Sequence, residues 1–231
     1  MHGCIAGSHS LQPAPAPTKG RLTRCSRRVA TAFAVRWAHF FGPVDAGCYH
    51  FYGTSRQPTL IAGVDPLGRP VLAPCYELMH QVGLDAQLTQ AARLWKLEGL
   101  YRSGQGDDTL AVSLGVEHTL VGVMSTAADF GLLAEYHFDT SGSGNALHLA
   151  DDWFVGVRLS ANDVQSSELL IGVLVDHSEP GYSFNLEASG RWGSSWTAEL
   201  EARVFNDYKA PDQRVGLNGD DHVQLTVLRH F

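Results

Sequence analysis

Beyond Cys75 the chain has no cysteine; its four, Cys4, Cys25, Cys48 and Cys75, all lie in the first third. They show neither CxxC nor metal-ligand spacing, so no zinc site and no disulfide framework is expected. A thiol-free remainder suits an oxidising envelope compartment. No apolar run approaches the roughly 18 residues that a membrane helix requires. Positive charge is also scarce: 17 Lys and Arg stand against 24 Asp and Glu, a formal net charge of −7. The basic residues form no stripe, which argues against a nucleic-acid partner. GxSxG, HExxH and Walker-type loops are all missing, as is any Cys/His cluster. Neither a cofactor nor a metal is expected, and the chain does not read as an enzyme.

Residues 1–29 read poorly as a secretion signal. Arg21, Arg24, Arg27 and Arg28 precede an apolar stretch, 29–35, that is too short, ends at Arg36 and starts too far from Met1. They are read as a disordered or non-native leader, and residues 30–231 as one domain.

What the chain does have is alternation at period two. In 168–177, Leu169, Ile171, Val173 and Val175 alternate with Gly172 and Asp176; in 195–206, Trp196, Ala198, Leu200, Ala202 and Val204 alternate with Glu199, Glu201 and Arg203. This is the pattern of strands with one apolar and one polar face. It recurs over 31–41, 46–54, 78–90, 93–103, 109–123, 127–139, 152–162 and 182–192, and ends in Val223, Leu225 and Val227 before a terminal Phe231. Eleven strands are expected, with almost no competing helical periodicity. The segment 55–77 carries four prolines and is read as a long irregular connection that cannot hold a central strand.

The connections alternate in character. Those at 42–45, 91–92, 125–126, 163–167 and 193–194 are short; those at 55–77, 103–108, 140–151, 177–181 and 207–220 are mostly longer or richer in Gly, Asp, Ser and Pro. Trp95, Phe130, Trp192, Trp196 and Phe231 fall at the tight-turn ends, and Tyr101, Tyr136, Phe138, Trp153 and Tyr182 near the opposite rim. Two aromatic belts with short turns on one side are what a membrane barrel needs at its two interfaces. A soluble sandwich is disfavoured because Asp129, Glu135, Arg158, Glu199, Glu201 and Arg203 stand where it would bury its core. Repeated burial of unpaired charge is too costly.

With segments such as WKLEGLYRSGQGDD, ADFGLLAEY and LADDWFVGVRLSANDVQ and a last strand closed by Phe231, residues 31–231 resemble Gram-negative outer-membrane β-barrels of porin-like pattern. Arg229 departs from the apolar residue usual two places before the end. The resemblance implies an antiparallel up-and-down transmembrane β-barrel in the cell outer membrane. It further implies contact with the lipid bilayer and lipopolysaccharide, and recognition of Phe231 by the barrel-assembly machinery. It brings no substrate.

Function is therefore sought on the polar face. Glu98, Glu117, Asp129, Glu135, Glu168, Asp176, Glu187, Glu199 and Glu201 outnumber Lys96, Arg102, Arg158, Arg191 and Arg203 there. Such a lumen would weakly prefer cations. Arg158, Glu187, Glu199, Glu201 and Arg203 are expected to form a cross-strand network that binds small solutes or ions and sets that preference. Two alternatives compete with a pore: a plugged structural barrel, and a hydrolase at the outer rim using His137 with Asp139 or His177 with Asp176. A Ser–His–acid contact would favour the hydrolase. The doublets Asp107-Asp108, Asp151-Asp152 and Asp220-Asp221 are read first as turn formers and second as a place for a divalent cation. Strand parity adds one more expectation. If Phe231 is periplasmic, eleven alternating strands put the start of 31–41 outside, so the barrel is read as incomplete, its upstream strands missing.

Overall fold

The computed structural model describes residues 31–141, 149–210 and 212–231. The leader expected over 1–29 lies outside them, as do Cys4 and Cys25. Thirteen strands account for most of the described chain: β1 (Phe33–Phe41), β2 (Val44–Thr54), β3 (Thr59–Val64), β4 (Pro70–Cys75), β5 (Leu78–Gln90), β6 (Arg93–Ser103), β7 (Thr109–Leu120), β8 (Asp129–Asp139), β9 (Asp151–Ser160), β10 (Glu168–Asp176), β11 (Tyr182–Trp192), β12 (Trp196–Asn206) and β13 (His222–Arg229). Two 3-10 turns, Val123–Ser125 and Gln213–Leu217, are the helical elements among the described residues.

Eleven strands form one antiparallel sheet in the order β1-β2-β5-β6-β7-β8-β9-β10-β11-β12-β13. Every strand pairs with its neighbour in sequence, except that β2 pairs with β5 across the excursion of β3 and β4. The sheet is not closed: β1 and β13 are its two edges and do not pair with each other.

The excursion corrects the reading of 55–77 as irregular. β3 and β4 make a separate hairpin, closed by a turn in which the Asp65 carboxylate accepts from the N–H groups of Leu67 and Arg69, each at 2.9 Å. Its prolines fit because a two-stranded ribbon has outer edges that need no ladder donor, and Pro70 and Pro74 sit on β4. Cys75, at the end of β4, is buried and disulfide-bonded, whereas Cys48 is free and exposed. Spacing along the chain carries no information on which thiols meet in space.

In an antiparallel ladder directly opposed residues share a face. Leu169 opposes Ala188, which opposes Leu200, which opposes Leu225. Arg158 opposes Leu170, then Glu187, Glu201 and Gln224. The register thus sorts the side chains into an apolar face and a charged face, and the nine belt aromatics within strands fall on the apolar one, Phe231 lying beyond the last paired residue. That face is uncovered: Val155 is 59% exposed, and Leu84, Leu114, Leu132, Val175, Val223 and Leu225 are also open. Exposure on the charged face is uneven, from 12% for the Glu117 side chain to 47% for Glu187 and 60% for Arg36. Only Cys75, Met79, Leu133 and Tyr208 are fully buried apolar residues among those described, so there is no central core.

The rims keep most of the expected asymmetry. Residues 42–43, 91–92 and 193–195 are tight turns, Gly42 and Gly193 taking left-handed φ near 62° and 63°. Two connections on that rim, 121–128 and 161–167, are longer than expected, the first containing a 3-10 turn.

Candidate functional site

The charged face is built by the pleat. Alternate residues of each strand point to it, and the expected lining residues all occupy it by register. Arg203 on β12 holds Glu201 two residues back at 2.8 Å and reaches Glu187 on β11 at 2.7 Å. Arg158 does not join them. It turns to Glu117 of β7 at 3.1 Å, passing over Gly131 of β8, where the absence of a side chain leaves room. Glu199 has no ion pair among the described residues. The expected five-residue network is therefore two parts: a Glu187–Arg203–Glu201 clamp, and an Arg158–Glu117 pair farther round the sheet. Arg158, Glu187, Glu199 and Glu201 still line one common cavity of about 560 Å³.

A second cavity, about 660 Å³, is lined by residues of β1, β2 and β5 to β8. Its wall includes Arg36, Asp85, Lys96, Glu98, Ser113 and His137. Arg36 on β1 bonds Asp85 on β5 across β2 at 3.1 Å, over Gly47. Ser113 and His137 are directly opposed and in hydrogen-bond contact.

The rim holds what the sequence concealed. Residues 207–221 join β12 to β13, and their 3-10 turn carries Arg214 inward to the charged face. The guanidinium lies 2.6 Å from Asp152 of β9, 2.5 Å from Asp176 of β10 and 2.8 Å from its own cap, Asp212. Arg214 is 5% exposed and Asp152 0%. The ring of Tyr208 lies 4.8 Å from the guanidinium carbon, and Tyr208 is itself buried. Burial works against the Arg214 charge, but Asp152 and then Asp212 outweigh it, and Arg214 is held more firmly protonated than an ordinary arginine. The Tyr208 hydroxyl is pushed up by burial, with Ser183 and Arg214 partly opposing. Asp176 also caps its own turn, accepting from the N–H groups of Ser178 and Glu179 at 2.8 and 2.9 Å. Oδ2 of Asp152 is buried without a hydrogen-bond partner.

The remaining candidates do not converge. Asp108 accepts from the Tyr101 hydroxyl, Asp151 from Ser178 and Asp221 from the Phe205 N–H. No group of three metal-ligating side chains forms among the described residues. Asp176, assigned to a rim pair with His177, instead faces Arg214. Arg229, the misfit of the last strand, lies over two rings, 5.4 Å from Trp196 and 5.0 Å from Phe231. It is a cation set among aromatics at the tight-turn rim.

No family model matches the chain, and no curated protein or solved structure is similar to it.

Proposed function

We propose that the chain forms the wall of an outer-membrane β-barrel whose charged lumen passes small ions or solutes with a weak preference for cations. The observation that carries this reading is the division of one antiparallel sheet into an uncovered apolar face and a charged face. In water the apolar face would be a large liability, since exposed patches beyond a few hundred Å² are rare on soluble monomers. In a bilayer it is the required surface, and the nine belt aromatics on it have their interfaces. Lipid and lipopolysaccharide are then its surroundings, with Phe231, fully exposed, as the feature offered to the assembly machinery.

Acidic excess on the charged face supports cation preference, and Glu199, with no ion pair among the described residues, is one of its available carboxylates. Arg214 holds residues 207–221 against the charged face at one rim through Asp152 and Asp176. Single-channel recording in planar bilayers under a salt gradient tests the reading. Assembled into a closed barrel, the chain should conduct, and Glu199→Gln with Glu201→Gln should move its reversal potential toward zero. A protein that partitions with water-soluble fractions, or that inserts but never conducts, would overturn the pore.

A further inference from the structure

One cluster on the charged face is not needed for lining a passage. Ser113 of β7 and His137 of β8 oppose each other directly, and Ser113 Oγ contacts His137 Nδ1. Glu135, two residues earlier and hence on the same face, places Oε2 3.6 Å from His137 Nε2. The imidazole divides its two nitrogens between a hydroxyl and a carboxylate. The site is partly withdrawn from water, with the His137 side chain 20% and Glu135 31% exposed. Ser113 and His137 both open on the cavity of about 660 Å³, a volume that suits a small-molecule ligand. Arg36 in that wall is committed to Asp85, whereas Lys96 has no ion pair among the described residues.

We propose that Ser113, His137 and Glu135 are a hydrolytic site for small carboxylic esters. Ser113 is the nucleophile, His137 the general base and Glu135 the positioning residue. Either ring nitrogen serves as the base when the other carries the proton, and the Glu135 carboxylate, 3.6 Å from Nε2, favours the proton there. Ser113 Oγ attacks the ester carbonyl carbon as Nδ1 takes the hydroxyl proton. The carbon–oxygen bond to the alcohol then breaks, the departing oxygen takes that proton, and an acyl-serine remains. Water adds to the acyl carbon, giving its proton to Nδ1; collapse returns the proton to Ser113 Oγ and releases the carboxylic acid. Lys96 is the uncommitted cation of the wall, and is assigned to the negative oxygen of both addition steps.

The test is covalent. The folded chain in detergent, treated with a fluorophosphonate probe, should carry one adduct on the peptide containing Ser113. Ser113→Ala should abolish it, Ser125→Ala in a distant turn should leave it intact, and His137→Asn should slow it on the order of 100-fold. Glu135→Gln should lower turnover of p-nitrophenyl butyrate and move the acidic limb of its pH profile, which a merely structural role would not. Heat-modifiable mobility checks that each variant is folded. Folded protein without an adduct on Ser113, or labelling indifferent to His137→Asn, would overturn the site. Neither result bears on conduction, which rests on other residues.

Discussion

Two connections on the same rim carry an arginine against aspartate and put it to opposite use. At the tip of the β3–β4 hairpin, Arg69 bonds Asp65 at 2.7 Å, with the arginine side chain 71% exposed. In residues 207–221, Arg214 meets three carboxylates at similar distances and is almost wholly buried. The groups and the contact distances are alike; the number of carboxylates and the surroundings are not. In water an ion pair is screened and contributes about 0–1 kcal/mol. Out of water, removing one partner leaves the others desolvated and uncompensated, at about 3–5 kcal/mol. The hairpin's pair shapes a turn, whereas the buried cluster determines where a whole connection lies.

The largest effect should come from Arg214→Ala. It should destabilise the docked connection by about 3–5 kcal/mol. Tryptic cleavage after Lys209 in intact protein should then accelerate by about two decades or more, since about 1.4 kcal/mol corresponds to a decade in an opening equilibrium. Arg214→Lys sharpens the comparison. It keeps the charge but loses the fork that serves Asp152, Asp176 and Asp212 together, and the same assay should show an intermediate loss of about 1–3 kcal/mol. Gly172→Ala probes the wall beneath. An added methyl would meet the ring of Phe154, which lies across that glycine, and unfolding in urea should show a loss of about 1–3 kcal/mol. Arg69→Ala should change stability by under about 1 kcal/mol. A loss there comparable with Arg214→Ala would dissolve the contrast.

Acid should touch the hairpin last and least. Asp65 is held below the usual carboxylate range, first by the backbone N–H of Arg69 and then by its side chain. Its contribution is present above the ordinary carboxylate pKa and is lost as pH falls through the depressed value. Hydrogen exchange of Leu67 and Arg69 should therefore quicken only in strongly acid solution.

The sequence made the repetitive part of the molecule legible. Period-two alternation located all eleven strands of the sheet, and β5, β6 and β11 begin and end where the pattern does. Facing followed, because a pleat leaves no freedom once the register is known. The β3–β4 hairpin was missed because its prolines argue against a central strand and say little about an isolated ribbon. The charge network was half legible. Alternation puts Arg158 and Glu187 on one face, but whether Arg158 turns toward β11 or toward β7 depends on the space over Gly131. Arg214 was not legible at all. Its partners lie 62 and 38 residues away, and the Asp-Gln-Arg that carries it reads as ordinary loop polarity. Ser113 escaped for a similar reason, and His137 was matched with Asp139 rather than with Ser113: a residue's cross-strand partner is fixed by register, which strand patterns in isolation do not give.

The order of the sheet also has a kinetic meaning. Each strand joins the one made just before it, so each pairing closes only a short segment of chain. The exception is β2 with β5, where residues 55–77 intervene. Closing a loop ten times longer costs only about 2 kcal/mol more, and the hairpin, folding on its own, shortens the effective gap. Such a topology grows by addition at an edge and waits on no distant contact. The step most exposed to delay is the one after Thr54, where the growing edge must wait for the hairpin to fold aside before β5 can add to it.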